Sequence, residues 1–476
     1  MFWKLENIDK SKTALINDLP KLNLTYGEIN NRCSKIVELI KDADKKLVFL
    51  FCDNSADSII LYFAALQSGN AVFLANSKMD DKLKESLVSI YNPEFIFSIG
   101  KISSLHLEYE YQNLDNNFSF YKIKNKEKLS LINKDLAVLL STSGTTGSPK
   151  LVRLSYKNLQ ANAESIAEYL QISEKDIPIT SLPMSYSFGL SVINSHILKG
   201  ASIFCTNKSM IMRDFWNVFN ENKCTSFSGV PYNYQMLQRL KFEKLELPTL
   251  RTMTQAGGRL SEEFIKYFYD TALLKEIKFF VMYGQTEATA RISYVPFEKL
   301  GEKIGSIGIP IPNGEIKIFS GDVEVSAPGL EGELVYIGQN VMMGYAENRN
   351  DLAKDDELCG KLHTGDLALK DEDGFCYITG RLKRFIKLFG LRVNLDEIEK
   401  MIENEFSVPA ACYGTDESLK ILLQTDIDNL SEAVKKKVIE FYKLHHSVVF
   451  VKDVNMIPVT PSGKKDYRLI QETAVV

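Results

Sequence analysis

The chain has 476 residues, of which 45% are hydrophobic and 25% charged, with a net charge of −4 at pH 7. That length exceeds one compact core and suits roughly two to four structural units. The faint negative charge and the lack of a basic tract argue against a nucleic-acid partner, and no run reaches the ~18 apolar residues of a membrane span. The amino terminus, MFWKLENIDKSK, lacks the apolar segment of a secretory signal. Seven cysteines (Cys33, Cys52, Cys205, Cys224, Cys359, Cys376 and Cys412) are scattered without a CxxC pair. This argues against a disulfide framework or a zinc site, and a reducing, cytoplasmic compartment is expected.

Helical and strand patterns alternate from the start. Helices are predicted near Tyr26–Ile40 and Ala56–Gln67, and strands at KLVFLF, NAVFLA and EFIFSI. Such alternation predicts a parallel sheet covered by helices. The polar stretch Tyr109–Lys128 reads as a connection. A strand at Leu136–Leu140 enters a Ser/Thr/Gly loop and is followed by a second strand, LVRLS. Further βα units run to about Phe280. From Lys303 short strands and Gly/Pro turns dominate, which predicts a β-rich subdomain. After Arg381 an α+β pattern returns, with helices at about Leu395–Glu405 and Ser431–Leu444. The expected fold class is α/β: a large amino-terminal domain of helix-covered sheets with a β-rich subdomain, then a small α+β carboxy-terminal domain.

The loop Ser141–Lys150 reads STSGTTGSPK. Its glycines let backbone N–H groups approach an anion, its hydroxyls can donate to phosphate oxygens, and Lys150 supplies a mobile charge. It is not a Walker A loop: Gly144 and Gly147 are too close together, Pro149 precedes the lysine, and a strand rather than a helix follows. A flexible surface hairpin is the alternative for this string, and the phosphate-loop reading is favoured over it.

With this string the chain resembles the adenylate-forming superfamily of acyl-CoA synthetases, peptide-synthetase adenylation domains and firefly luciferase. Further matching strings follow in order: YGQTEAT at Tyr283–Thr289, TGD at Thr364–Asp366, GRLKRFIKLFG at Gly380–Gly390 and PSGKKDYR at Pro461–Arg468. The resemblance spans essentially the whole chain. It implies that Thr142, Ser143, Gly144, Thr145, Thr146, Gly147 and Lys150 hold ATP phosphates. Tyr283 and Gly284, with Ala256, Gly257 and Gly258, would lie against adenine. Asp366 would accept the ribose hydroxyls and Arg381 would make a second nucleotide contact. Thr286 would touch phosphate, and Glu287 would be the Mg²⁺ ligand, a carboxylate suited to a hard cation.

Lys464 would be the catalytic lysine that bridges the incoming carboxylate and the α-phosphate, two anions that otherwise repel. Read alone, beside Lys465 in a polar segment, it is an ordinary solvated lysine. The implied division is 1–382 and 383–476, with Lys383 as the hinge of a mobile carboxy-terminal domain and Lys387 and Gly390 lining a thiol channel. Arg384 stands where many members have an acidic residue. His363, His445 and His446 are read as structural, the last two pointing different ways from a helix.

The implied acid pocket includes Tyr186, Ser187, Gly189, Ser228 and Gly229. Amino-acid-activating members carry an aspartate where this chain has Gly189, and a buried ammonium without a partner is costly. An acyl, aryl or hydroxy acid is therefore expected. The implied reaction makes an acyl-adenylate with release of pyrophosphate, then passes the acyl group to CoA or to the phosphopantetheine of a separate acyl carrier protein, releasing AMP. A non-catalytic nucleotide-binding regulator on the same scaffold is the alternative, and a luciferase-like oxygenase is a third.

Overall fold

The computed structural model describes residues 1–6, 8–102, 109–113, 118–124, 130–141, 150–382, 384–388, 391–415, 417–442, 444–460 and 464–473. The helices Tyr26–Ile40 and Ala56–Gln67 occupy the predicted spans. Both start at a hydroxyl cap: Thr25 in a reciprocal box with Glu28, and Ser55 accepting from the Ser58 N–H. Such caps satisfy amides that the first turn leaves unpaired.

The apolar runs Leu47–Cys52 and Ala71–Asn76 form the centre of an eight-stranded sheet. They pair in parallel with each other, with Phe95–Ile99 on one side and with Leu136–Ser141 on the other. Being buried on both faces, they are nearly all apolar rather than alternating. The expected parallel sheet forms the centre, and Leu151–Ser155, Gly344–Ala346, Phe118–Ile123 and Tyr109–Asn113 extend its edges antiparallel, so the whole sheet is mixed. The last two lie inside Tyr109–Lys128, so that stretch is not merely a connection. Phe118–Ile123 pairs on both sides and is buried over Phe118–Tyr121, while Tyr109–Asn113 forms the sheet's edge.

A second sheet carries three parallel strands side by side, Ser226–Gly229, Thr252–Gln255 and Lys278–Tyr283. Their carboxyl ends therefore open onto one edge, where an α/β sheet offers a crevice. The β-rich part is an antiparallel sheet containing Gly314–Ser320, Gly332–Gly338, Lys361–Lys370 and Cys376–Arg381.

The smaller carboxy-terminal part begins with the hairpin of Phe385–Leu388 and Leu391–Asn394. Its core packs Ile398 and Ile402 of the helix Leu395–Phe406 against the sheet of Ala410–Thr415, Ser418–Gln424 and Val449–Val454. The other predicted helix spans Leu430–Tyr442 and stops before the histidines. His445 caps a short 3-10 turn, and its ring lies 4.2 Å from that of His446, so the two face one another. All cysteines are free, Cys359 alone being exposed. Among the described residues no helix is long and apolar enough to cross a membrane.

Candidate active site

The phosphate-loop string joins two antiparallel strands, Leu136–Ser141 and Leu151–Ser155, paired at Ser141 and Leu151. A hairpin rather than a strand-to-helix turn is what separates this loop from a Walker A motif. Thr142, Ser143, Gly144, Thr145, Thr146 and Gly147 lie outside the described residues, as do Lys383 and Gly390. Lys387 is on the strand Phe385–Leu388.

Lys150, at the far end of the loop, lies 3.8 Å from the centroid of the Tyr345 ring. The Tyr345 hydroxyl donates to Glu287 Oε1 at 2.9 Å. Burial, and then the Glu287 charge, push the Tyr345 phenol well above its ordinary range, so it remains a donor. Tyr345 comes from the edge strand Gly344–Ala346, and nothing in its local sequence marked it.

At the carboxyl edge of the second sheet, Tyr283 ends its strand and Gly284 turns the chain. A Cβ at Gly284 would collide with the Ala290 carbonyl, so no other residue fits this turn. The Tyr283 hydroxyl donates to Asp366 Oδ2, which also accepts from Gln285 Nε2 at 3.0 Å. Asp366 and Arg381 are paired across neighbouring strands, and Arg381 Nε donates to Asp366 Oδ1 at 2.9 Å. Burial and the adjacent Asp366 push the Tyr283 phenol far up. Three side chains, those of Tyr283, Gln285 and Arg381, thus converge on one buried carboxylate. Gln285 lay within the matched string but was not singled out beforehand.

Gly257 has φ +84°, and a Cβ there would meet the Tyr186 hydroxyl at 2.6 Å. Glycine both permits the turn and lets Tyr186 approach the backbone. Ser187 opens the helix Ser187–Leu198, and its Oγ lies 3.2 Å from Thr286 Oγ1. Tyr186, Ser187, Ala256, Gly257, Gly284 and Thr286 line a single cavity together with Gln285, Arg291 and Lys464.

Three of the expected pocket residues are not part of this wall. The Ser228 hydroxyl is 2.8 Å from Thr254 Oγ1, and the Ser228 amide and carbonyl bond to Ser181. Gly229 packs under the Tyr234 ring, and Gly189 under the backbone of Leu182 and Pro183, where no Cβ would fit. Gly189 is therefore explained by packing, and its lack of an aspartate says nothing by itself about the acid.

Lys464 reaches the cavity from the carboxy-terminal part. Its N–H donates to Thr460 Oγ1 at 3.2 Å, and its carbonyl accepts from the Thr460 N–H at 2.7 Å, closing the turn. The next residue, Lys465, is pinned the other way: Nζ is 2.8 Å from both Glu399 Oε2 and Glu403 Oε1. Glu399 is buried and also accepts from Arg384 Nη2 at 2.6 Å and from the Tyr467 hydroxyl. Arg384, which departs from the family pattern, therefore braces the carboxy-terminal core. Burial, then the nearby Arg381 cation, lower the Lys464 ammonium below the usual lysine range, with Glu287 and Asp366 opposing. His363 is exposed and 2.8 Å from Glu333, away from this cluster.

The fold is that of ATP-bound MatB from Rhodopseudomonas palustris, with a TM-score of 0.79 over 99% of this chain and 98% of that one, at 20% identity. In sequence, the putative acyl-CoA synthetase YngI of Bacillus subtilis is 31% identical over 73% of this chain, and the match spans 65% of YngI's length. The 4-coumarate--CoA ligase-like 9 protein of Arabidopsis thaliana is 28% identical over 97% of this chain and 87% of its own length. The family described as AMP-binding enzyme matches residues 6–346. The chain belongs to that family, and with it to the AMP-forming ligases.

Proposed function

We propose that this chain activates a carboxylic acid with ATP, forming an acyl-adenylate and pyrophosphate, and then transfers the acyl group to the thiol of CoA or of a carrier protein's phosphopantetheine. The observation that carries this reading is the placement of Lys464 in one cavity with Thr286, Gln285 and Tyr186. A carboxylate entering beside Tyr186 and a nucleotide anchored on Asp366 would bring their charges together at that lysine. A cation already fixed there offsets their repulsion without reorganising in the transition state.

In this reading Asp366 accepts from the ribose, supported by its convergent donors, and Tyr283, Ala256, Gly257 and Gly258 border the base. Lys150 and Thr286 hold phosphate. Glu287 fits a Mg²⁺ ligand: Tyr345 orients one oxygen, and among the described residues no side chain pairs with the other. Glu287 would hold the ion, which when bound would supply positive charge against the pyrophosphate leaving group. The acid is not an α-amino acid. Among the described residues the cavity wall has no carboxylate but has the two cations Lys464 and Arg291, which would repel an ammonium group. A boundary at 382/383, with Lys383 as pivot, would exchange Lys464 for Lys387 and Gly390 between the two half-reactions.

The test is pyrophosphate release from ATP and Mg²⁺ with a panel of acids, with and without CoA. Acid-dependent release with acyl-CoA found by mass supports a CoA ligase. Acid-dependent release that CoA does not accelerate points to a carrier protein. No release with any acid of the panel would count against the ligase reading.

A further inference from the structure

Among the described residues three arginines are almost fully buried. Arg153 and Arg349 are 0% and 6% exposed, and Arg291 is 2% exposed. The first two carry their counter-ions with them: Arg153 Nη2 is 2.6 Å from Glu357 Oε2, and Arg349 Nη2 is 2.6 Å from Glu94 Oε1. Arg291 has no such partner among the described residues. Its Nη1 donates to the neighbouring Ala290 carbonyl at 3.3 Å, its side chain also bonds the Tyr169 phenol, a neutral group, and its Nε has no hydrogen-bond partner. The guanidinium lies 3.9 Å from the centroid of the Phe188 ring, and the groups acting on its charge are the neutral phenols of Tyr169 and Tyr186.

Stacking on an aromatic ring recovers part of the lost hydration, but a buried guanidinium normally also holds a carboxylate or phosphate in its fork. Arg291 lines the same cavity as Lys464, on the wall it shares with Tyr186 and Phe188.

We propose that Arg291 is the counter-ion for a second carboxylate on the acid substrate, so that the preferred substrates are dicarboxylic acids of which one end is activated. This rests on the adenylating-ligase reading of the site. The reacting carboxylate is a poor permanent partner for Arg291, because it loses its charge when it becomes the acyl-adenylate. A distal carboxylate keeps its charge through adenylation and thiol transfer, so the arginine stays compensated at every step. The arrangement also gives selectivity: a monocarboxylic acid would leave the buried Arg291 without a counter-ion, which costs more than any gain from apolar contact. Lys464 then addresses the reacting end and Arg291 the inert end.

The experiment compares succinate, glutarate, adipate and phthalate with butyrate, valerate, hexanoate and benzoate. Two readouts on the full chain are used: initial rates of pyrophosphate release, and the shift in melting temperature at constant ionic strength. At least one dicarboxylate should exceed its matched monoacid by about 10–100-fold in kcat/KM, the discrimination expected of a charged hydrogen-bonded pair. Arg291→Met should abolish that preference while the KM for ATP stays within about twofold, and Arg291→Lys should keep part of it.

Monoacids equal to or better than their dicarboxylate partners with the unaltered chain would overturn the proposal. So would an Arg291→Met variant that raises the KM for ATP and leaves acid discrimination intact, since the arginine would then serve the nucleotide. If Arg291→Met does not fold, the comparison on the unaltered chain decides. If no acid elicits pyrophosphate, the ligase reading fails. The melting shifts still decide on Arg291: a shift specific to dicarboxylates supports it, and none overturns it.

Discussion

The Tyr345 hydroxyl donates to Glu287 Oε1 at 2.9 Å while Lys150 lies 3.8 Å from the centroid of the same ring. One tyrosine thus touches both a carboxylate suited to a metal and the lysine that ends the phosphate loop. Groups that orient a metal ligand commonly tune metal affinity by about 10–100-fold. Tyr345→Phe should therefore raise the Mg²⁺ concentration for half-maximal pyrophosphate release by about tenfold, with little change in stability. A Mg²⁺ titration of the initial rate checks this, and an unchanged half-saturation point would remove Tyr345 from the site.

Lys464→Ala should lower acyl-adenylate formation by about 10²–10³-fold, the usual loss for one preorganised donor to developing charge. Thiol transfer from a supplied acyl-adenylate should persist. Because burial and Arg381 lower the Lys464 ammonium, its proton is lost as pH rises through a value below the ordinary lysine range. Adenylation should accordingly fall on an alkaline limb that Lys464→Arg displaces to higher pH. A pH–rate profile without that displacement would assign the limb elsewhere.

Lys383→Pro should spare adenylation and block thioester formation, since a ring-locked φ cannot absorb a large backbone rotation. Separate assays of pyrophosphate release and acyl-CoA formation test it. Normal acyl-CoA formation would move the pivot away from Lys383.

Glu399 compensates Arg384 and Lys465 within the carboxy-terminal core. Glu399→Gln would leave both cations short of charge and should cost roughly 3 kcal/mol of stability in that part of the chain. Hydrogen exchange should show faster opening of Leu395–Phe406, with the amino-terminal sheets unaffected.

His196 is buried, and burial lowers it from 6.5 to about 4. Its Nδ1 lies 2.8 Å from the Val192 carbonyl. Between those values the unfolded chain binds a proton that the folded chain refuses. The contribution is fully present above about pH 6.5 and is lost as pH falls towards 4, amounting to roughly 3 kcal/mol. His196→Asn should flatten stability across that window, as chemical denaturation at several pH values would reveal.

The amino-acid sequence by itself determined the helices Tyr26–Ile40 and Ala56–Gln67, the buried strands between them, and the loop at Ser141–Lys150 as a turn between strands. These are local matters: hydroxyl caps, runs of apolar residues and glycine spacing act within a few residues. It also named Tyr283, Glu287, Asp366, Arg381 and Lys464, because their strings match a family in order along the chain.

The tertiary structure decided what each of these residues faces. The strands inside Tyr109–Lys128 depend on an exposed edge of a sheet built elsewhere. Ser228, Gly229 and Gly189 leave the cavity wall because neighbouring strands and turns take up their polar groups or their space. Tyr345, Gln285 and Arg291 enter the site, or acquire meaning there, only through partners brought from distant segments. Lys464 and Lys465 are adjacent and chemically alike, so no local pattern separates them. The buried Glu399 binds one and leaves the other to the cavity, and that choice is made by long-range charge pairing in the folded core.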